Sequence, residues 1–311
     1  MKSLISILIP CYNEVENIEP LSKEIIFEME NNLPMYDYEI VFIDNFSFDG
    51  TRDKLEEMCR INSKIKAIFN CNNFGQFNSP VYGLQQTHGE CTVTISADFQ
   101  DPVCMIHKMV HEWEKGYKIV ALIKTHSEEN TVVRFIRTCY YKLIKKMSSV
   151  EQIEHFTGAG LYDKSFIDVL RKLDDPTPFL RGIVAELGAK RKDLEYTQVK
   201  RRAGHSHNNW YSLYDAAMLS FTSYTKVGLR AATLLGFLFA VITMLMAVVY
   251  FIAKMMWWDS FPMGTAPMLI GMFFLGSIQL FFIGLLGEYI LNINARVMHR
   301  PLVVEEKRIN F

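Results

Sequence analysis

The run Ser96-Ala97-Asp98-Phe99-Gln100-Asp101-Pro102 sets two carboxylates around a glutamine, directly after the β-like segment Cys91-Thr92-Val93-Thr94-Ile95. A carboxylate leaving the C-terminal end of a buried strand is where an open α/β sheet presents groups to a ligand. Hard oxygen donors of this kind suit a divalent cation, Mg2+ or Mn2+, on a diphosphate. The same residues would also serve a plain strand-to-helix turn in which Asp98 caps the next helix. The elements around this turn bear on which of the two it is.

Leu4-Ile5-Ser6-Ile7-Leu8-Ile9 is an apolar run ended by Pro10, as a buried strand would be. Apolar residues at helical spacing (Ile18, Leu21, Ile25, Ile26, Met29) predict a helix over Glu14 to Glu30. Tyr38 to Ile43 reads as a second strand, Asp44 to Thr51 as a polar turn, Thr51 to Asn62 as a helix and Ile65 to Phe69 as a third strand. Strand and helix in alternation are the rhythm of a mainly parallel sheet with right-handed crossovers. No G-x-G-x-x-G and no P-loop sequence is present, so a nucleotide would not be held by either device.

Half of the 311 residues are hydrophobic, and the surplus is concentrated in two stretches. Ala231 to Ala253 and Ala266 to Leu286 carry no charge, and each is long enough to cross a hydrocarbon core of roughly 30 Å as a helix. Lys226 and Arg230 precede the first; Arg296, Arg300, Lys307 and Arg308 follow the second; the connecting segment has one Lys and one Asp. The positive-inside rule then predicts a multi-pass protein with both termini and the N-terminal domain cytoplasmic. Trp257 and Trp258 stand where an outer-interface anchor would sit. Two further segments, Val132 to Met147 and Trp210 to Leu229, read as helices able to lie on a bilayer surface, although the first would equally suit a solvated helix packed on the sheet. A net charge of -1 gives no sign of a nucleic-acid partner. The six cysteines include no C-x-x-C pair and read as reduced packing residues.

Four segments together resemble family 2 glycosyltransferases. Ile9-Pro10-Cys11-Tyr12-Asn13-Glu14 is similar to the family's P-x-Y/F-N-E opening, and Ile43 to Thr51 to its V-D-D-G-S-x-D-G-T turn. Ser96 to Pro102 is similar to D-A-D-L-Q-D-P, and Asn73-Phe74-Gly75-Gln76 to the N-F-G that precedes it. Gly287-Glu288-Tyr289-Ile290 with Arg300-Pro301-Leu302 resembles the end of the polyisoprenyl-phosphate glycosyltransferases, the group of bactoprenol glucosyltransferase and dolichol-phosphate mannose synthase-like enzymes. The resemblance extends over essentially the whole chain.

It implies a Rossmann-like GT-A domain over residues 1–208, an interface helix over 209–229, two transmembrane helices within 230–292 (about 231–253 and 266–290) and a cytoplasmic tail over 293–311. Pro10, Tyr12, Glu14, Asp44 and Ala97 would bind the nucleotide, and Asp98 would hold the divalent cation. Asp98, Asp101 and Arg202 would be catalytic. Gln100, Arg137, Arg181, Arg201, Arg202 and Ser206 would meet the donor or acceptor phosphates, since a guanidinium fork matches phosphate and never deprotonates. A basic run beside a membrane can also serve only to attract anionic lipid.

Two departures from the family pattern stand out. Ser96 replaces an acidic residue, and Thr157-Gly158-Ala159-Gly160-Leu161 replaces a G-D-F-R-L segment, so that Gly158 falls where a base has been sought. A phosphate monoester with a second pKa near ~6 is mostly dianionic at pH 7 and needs no base before attack. The expected reaction is inverting transfer of one sugar from a UDP-sugar to undecaprenyl phosphate, for modification of a surface polysaccharide. Glucose is the default, with N-acetylglucosamine and galactose open. A self-associated form, such as a tetramer, is compatible with the resemblance. The rivals are a processive polysaccharide synthase, for which no Trp here follows an Arg as its acceptor motif requires, and a catalytically weak membrane scaffold.

Overall fold

The computed structural model describes residues 2–126, 153–173, 175–187, 190–199, 201–203, 210–224, 227–256 and 265–311. The N-terminal half alternates β1 (Leu4–Cys11), α1 (Val15–Asn32), β2 (Asp37–Asp44), α2 (Thr51–Ile61), β3 (Ile65–Asn70), α3 (Gly75–Gln85), β4 (Cys91–Thr94), α4 (Met105–Glu114) and β5 (Ile119–His126). There follow β6 (Phe156–Asp163), α5 (Lys164–Lys172), α6 (Leu180–Glu186) and β7 (Arg191–Thr197). Three further helices, α7 (Trp210–Tyr224), α8 (Val227–Met256) and α9 (Thr265–Val297), lead to a last strand, β8 (Glu305–Ile309).

The strands form one 8-stranded sheet in the order β7-β5-β6-β4-β1-β2-β3-β8. Pairs β1/β2, β1/β4, β2/β3 and β5/β7 are parallel, whereas β6 and β8 run against their neighbours. The sheet is therefore the mainly parallel α/β arrangement expected from the alternating pattern. A parallel sheet is covered on both faces, which is why its strands read as unbroken apolar runs. Ile5, Ile7 and Ile9 pack with α1, α2 and α4 on one face; Leu8, Val41 and Ile43 pack with α3, α5 and α6 on the other.

Helix α3 was not legible in advance, because Gly75, Pro80 and Gly83 argue against a helix there. Tertiary packing explains Gly83: a Cβ would stand 2.8 Å from Leu8 Cδ1 and 3.1 Å from Ile43 Cγ2. Its absence lets α3 lie directly on the sheet.

The chain runs β1, β2, β3 to one side and returns to place β4 on the other side of β1. This reversal opens a crevice at the carboxyl ends of β1 and β4, the place where sheets of this kind take their ligands. Asp98 leaves β4 there and the Tyr12–Glu14 segment leaves β1.

Outside the sheet, α8 and α9 expose large apolar side chains such as Leu234 (70%), Phe237 (71%) and Leu280 (71%). Among the described residues, one helical segment, Phe274–Val297, is long and apolar enough to cross a membrane. Helix α7 is tied to the polar end of α9: Tyr214 Oη donates to Glu288 Oε1 at 2.9 Å, and Asn292 Nδ2 donates to Thr222 Oγ1 at 2.7 Å. Beyond α9 the last residues rejoin the sheet as β8, antiparallel to β3. The amphipathic segment 132–147 lies outside the described residues.

Candidate active site

Two adjoining cavities occupy the crevice, and Pro10, Gln76, Phe77 and Pro80 line both. The larger, about 530 Å³, lies against Tyr12, Asn45, Asn73 and Asp215. The smaller, about 360 Å³, is floored by Ser96, Asp98, Gln100 and Asp101 and walled by Thr157, Gly158, Arg181 and Arg201.

The loop after β1 is drawn onto the loop after β2 by side chains that cap backbone groups. Asn13, at φ 56, donates its N–H to Ser47 Oγ at 2.8 Å and accepts from Phe48 N–H at 3.0 Å. The Glu14 N–H donates to Thr51 Oγ1 at 2.9 Å. Tyr12 lies edge-on to Phe48, with ring centroids 6.1 Å apart. Asp44 is wholly buried, accepts from Ser47 N–H and faces Arg52 Nε at 3.4 Å. Burial raises its carboxyl above the ordinary range, with the Ser47 hydrogen bonds and Arg52 opposing that shift.

Asn45, next in the chain, holds this half of the crevice together. Its Oδ1 accepts from Asn70 Nδ2 (3.1 Å) and from Phe74 N–H (2.9 Å), while its Nδ2 donates to Asn73 Oδ1 (2.8 Å). A carboxylate accepts only, so the amide is what permits bonding in both directions.

Below β4 the two carboxylates have different surroundings. Asp101 is buried and takes hydrogen bonds from Ser96 N–H (2.9 Å), Ser96 Oγ (2.5 Å) and Tyr196 Oη (2.6 Å). Both of its oxygens are occupied by fixed protein donors. Asp98 accepts from Gln100 N–H at 3.2 Å and is paired through Oδ2 with Arg201 Nη2 at 2.8 Å. The same guanidinium reaches Glu14 Oε1 at 3.6 Å, so Arg201 joins the ends of β1 and β4. Burial raises the Glu14 carboxyl above its usual range, while Asn17 and Arg201 pull it back.

Ser96 thus belongs to the Asp101 anchor, and Ala97 is buried beside it. Gln100 accepts from Gln198 Nε2 at 2.9 Å. Arg181 donates through Nε to Thr157 O at 3.3 Å on the cavity wall. Within the basic run it is Arg201 that enters the crevice. Arg202 is exposed over the Phe99 ring at 5.1 Å, its N–H bonded to Asp98 O at 3.4 Å. Arg137 and Ser206 lie outside the described residues.

Asn45, Tyr196 and Asp215 were not singled out from the sequence. The first was hidden inside a motif, and the other two reach the site from distant elements. Gly158 has φ +99°, a backbone conformation that L side chains rarely adopt, so an acidic side chain would be strained there.

Among the described residues no group of three or more His, Cys, Asp or Glu gathers as a metal site. The donor set nevertheless fits Mg2+ or Mn2+, which bind through one or two carboxylates with the remaining positions filled by phosphate and water. Asp98 would hold such a cation, and Arg201 already sets positive charge against its Oδ2.

An uncharacterized glycosyltransferase of Synechocystis is 28% identical over 96% of this chain and 93% of its own length. A bactoprenol glucosyl transferase of Shigella phage SfX is 29% identical over 98% of this chain and 99% of its own. Among solved structures, the Staphylococcus aureus TarS fragment in complex with UDP-GlcNAc superposes with a TM-score of 0.47 at 16% identity, over 72% of this chain and 66% of that one. The family described as Glycosyl transferase family 2 matches residues 6–170, more than half of the chain. By that match the chain belongs to glycosyl transferase family 2 and is a glycosyltransferase.

Proposed function

We propose that the protein transfers a single sugar from a UDP-sugar, glucose by default, to a polyisoprenyl phosphate, with inversion at the anomeric carbon. The observation that carries this reading is the Arg201 bridge between Glu14 and Asp98, which unites the nucleotide, cation and phosphate motifs in one crevice. Near full-length similarity to bactoprenol glucosyl transferases supports undecaprenyl phosphate as the lipid.

An acceptor phosphate oxygen attacks the anomeric carbon. The new C–O bond forms as the bond to the UDP oxygen breaks, and UDP departs with the electron pair. The acceptor dianion is nucleophilic without proton removal, which accords with Gly158 in place of a carboxylate. Asp44 and Tyr12 hold the uridine, Asp44 accepting from the uracil N–H or a ribose hydroxyl. A divalent cation held by Asp98 would stabilise the charge on departing UDP. Arg201 leaves Asp98 when the donor enters and pairs with phosphate, keeping the crevice near neutral in both states. Asp101 positions the turn through Ser96 and Tyr196.

Helices α8 and α9 are read as a transmembrane hairpin with both ends on the cytoplasmic face. The return of the chain to the sheet at β8 supports an even number of crossings, because a single span would leave β8 on the far side of the bilayer. The test is incubation of the purified protein with UDP-glucose, UDP-N-acetylglucosamine or UDP-galactose and undecaprenyl phosphate. A lipid product heavier by one hexose, formed from UDP-glucose, is expected. Polymer, or no lipid product from any donor, would overturn the reading.

A further inference from the structure

The last strand of the chain reaches the nucleotide half of the crevice through one arginine. Strand β8 pairs with β3 in a register that slips between Phe69 and Asn70: Lys307 faces Phe69 and Glu305 faces Asn70. Glu306 is the residue left over, and a bulge of this kind re-aims the side chain it frees. Its Oε2 accepts from Arg52 Nη2 at 2.6 Å. The Nε of the same guanidinium stands 3.4 Å from Asp44 Oδ2.

Arg52 also lies over two rings, Phe69 with its centroid at 5.3 Å and Phe46 at 5.9 Å. Phe46 has φ 70, a strained setting for an aromatic residue, and it persists where the surroundings over-determine it. The neighbouring strand residues also tie β8 down: Lys307 pairs with Glu56, and Glu305 accepts from Tyr82 Oη at 2.9 Å.

We propose that Arg52 and Glu306 are positioning residues for the nucleotide: β8 clamps Arg52 onto Asp44 and so fixes the buried carboxylate to which the uridine is assigned. This rests on the assignment of Asp44 to the uridine. A carboxylate with no exposure loses its hydration, and a guanidinium at its edge offsets part of that loss.

The other groups around Asp44 do not substitute for Arg52. Cys11 on β1 has its thiol pushed well above its ordinary range, by burial first and by the charge of Asp44 second, so it stays neutral. Ser47 donates hydrogen bonds without charge, and Glu14 and Asp49 beside the β1 loop act on the Cys11 thiol, which they push up further. Lys307 is turned to Phe69 and Glu56. Because the segment between α9 and β8 is short, the placement of Arg52 also connects the nucleotide half of the site to the membrane helices through the chain itself.

The test measures UDP binding by calorimetry and the pH profile of kcat/KM for the UDP-sugar, on full-length protein in detergent. Glu306→Gln changes a half-exposed residue (48%) and leaves the fold intact, as unchanged thermal unfolding will confirm. Glu306→Gln should weaken UDP binding by roughly threefold and Arg52→Gln by about tenfold, each raising KM with kcat little changed. In Arg52→Gln the acid limb of kcat/KM should also move to higher pH, and Arg52→Lys should restore the limb without restoring full affinity. Wild-type UDP affinity and an unmoved acid limb in both variants would overturn the proposal, as would a fall in thermal stability alone. Asp44→Asn separates this from the assignment beneath it. If Asp44→Asn loses UDP binding while the Arg52 and Glu306 variants keep it, the clamp fails and the assignment stands. If Asp44→Asn binds UDP like the wild type, the assignment itself fails.

Discussion

The two halves of the crevice each set an arginine against a carboxylate, a local one on Asp44 and a distant one on Asp98. On the β2 side, buried Asp44 accepts from the nearby Ser47 N–H and faces Arg52, and buried Asn45 accepts from Asn70. On the β4 side, Asp98 depends on a guanidinium from a segment far along the chain. Asp101, in the same turn as Asp98, behaves like the first half, with Ser96 and Tyr196 saturating it. In the mechanism proposed above, Arg201 is the group that exchanges Asp98 for the diphosphate.

The sharpest way to break this contrast is Asp98→Asn. It should lower turnover by about 10²-fold or more while thermal unfolding stays close to wild type. Equal turnover in Asp98→Asn and wild type would remove Asp98 from the site.

Next in size is Arg201→Ala, which should lose more than tenfold in kcat/KM, above ~1.4 kcal/mol. Arg201→Lys should recover only part of this, because a point charge does not reproduce the fork. Arg202→Ala, at the exposed position, should lose less than Arg201→Ala; the reverse order in steady-state kinetics would place Arg202 on the phosphates instead.

Tyr196→Phe removes a donor to buried Asp101 and should cost about 1–3 kcal/mol of stability, read by chemical unfolding, with kcat falling less than in Asp98→Asn. A loss of kcat as large as that of Asp98→Asn, at unchanged stability, would make Asp101 a participant in the chemistry and not an anchor.

The smallest effect concerns pH. Glu14 and Asp44 have carboxyls raised by burial in the folded protein. For such groups the contribution to stability is complete below the unfolded pKa and is lost as pH rises through the raised folded value. The unliganded protein should therefore gain stability as pH falls from neutral toward the carboxylate range, and Glu14→Gln should flatten part of that slope in thermal unfolding.

Much of the site was legible because its residues sit in short segments leaving buried strands. Apolar runs ending at Pro10, Asp44 and Ser96 mark strand ends, and polar residues there can only face a crevice or a cap. Helix α3 was not legible, since its glycines and proline answer to the packing of Leu8 and Ile43 rather than to helix propensity. Strand β8 was equally hidden: Glu305 to Ile309 is charged, short and reads as a tail, and only the free edge of β3 makes it a strand.

The sequence by itself determined the alternating α/β order, the places where the parallel strands end and the identity of the family, because periodicity and motif chemistry are local properties. Tertiary structure alone decided which arginine of the basic run meets Asp98, that Asp101 is sealed by Ser96 and Tyr196, and that Glu306 reaches Asp44 through Arg52. Those partners are far apart in the chain, and their pairing depends on strand order, a bulge in register and the direction in which each side chain leaves its element.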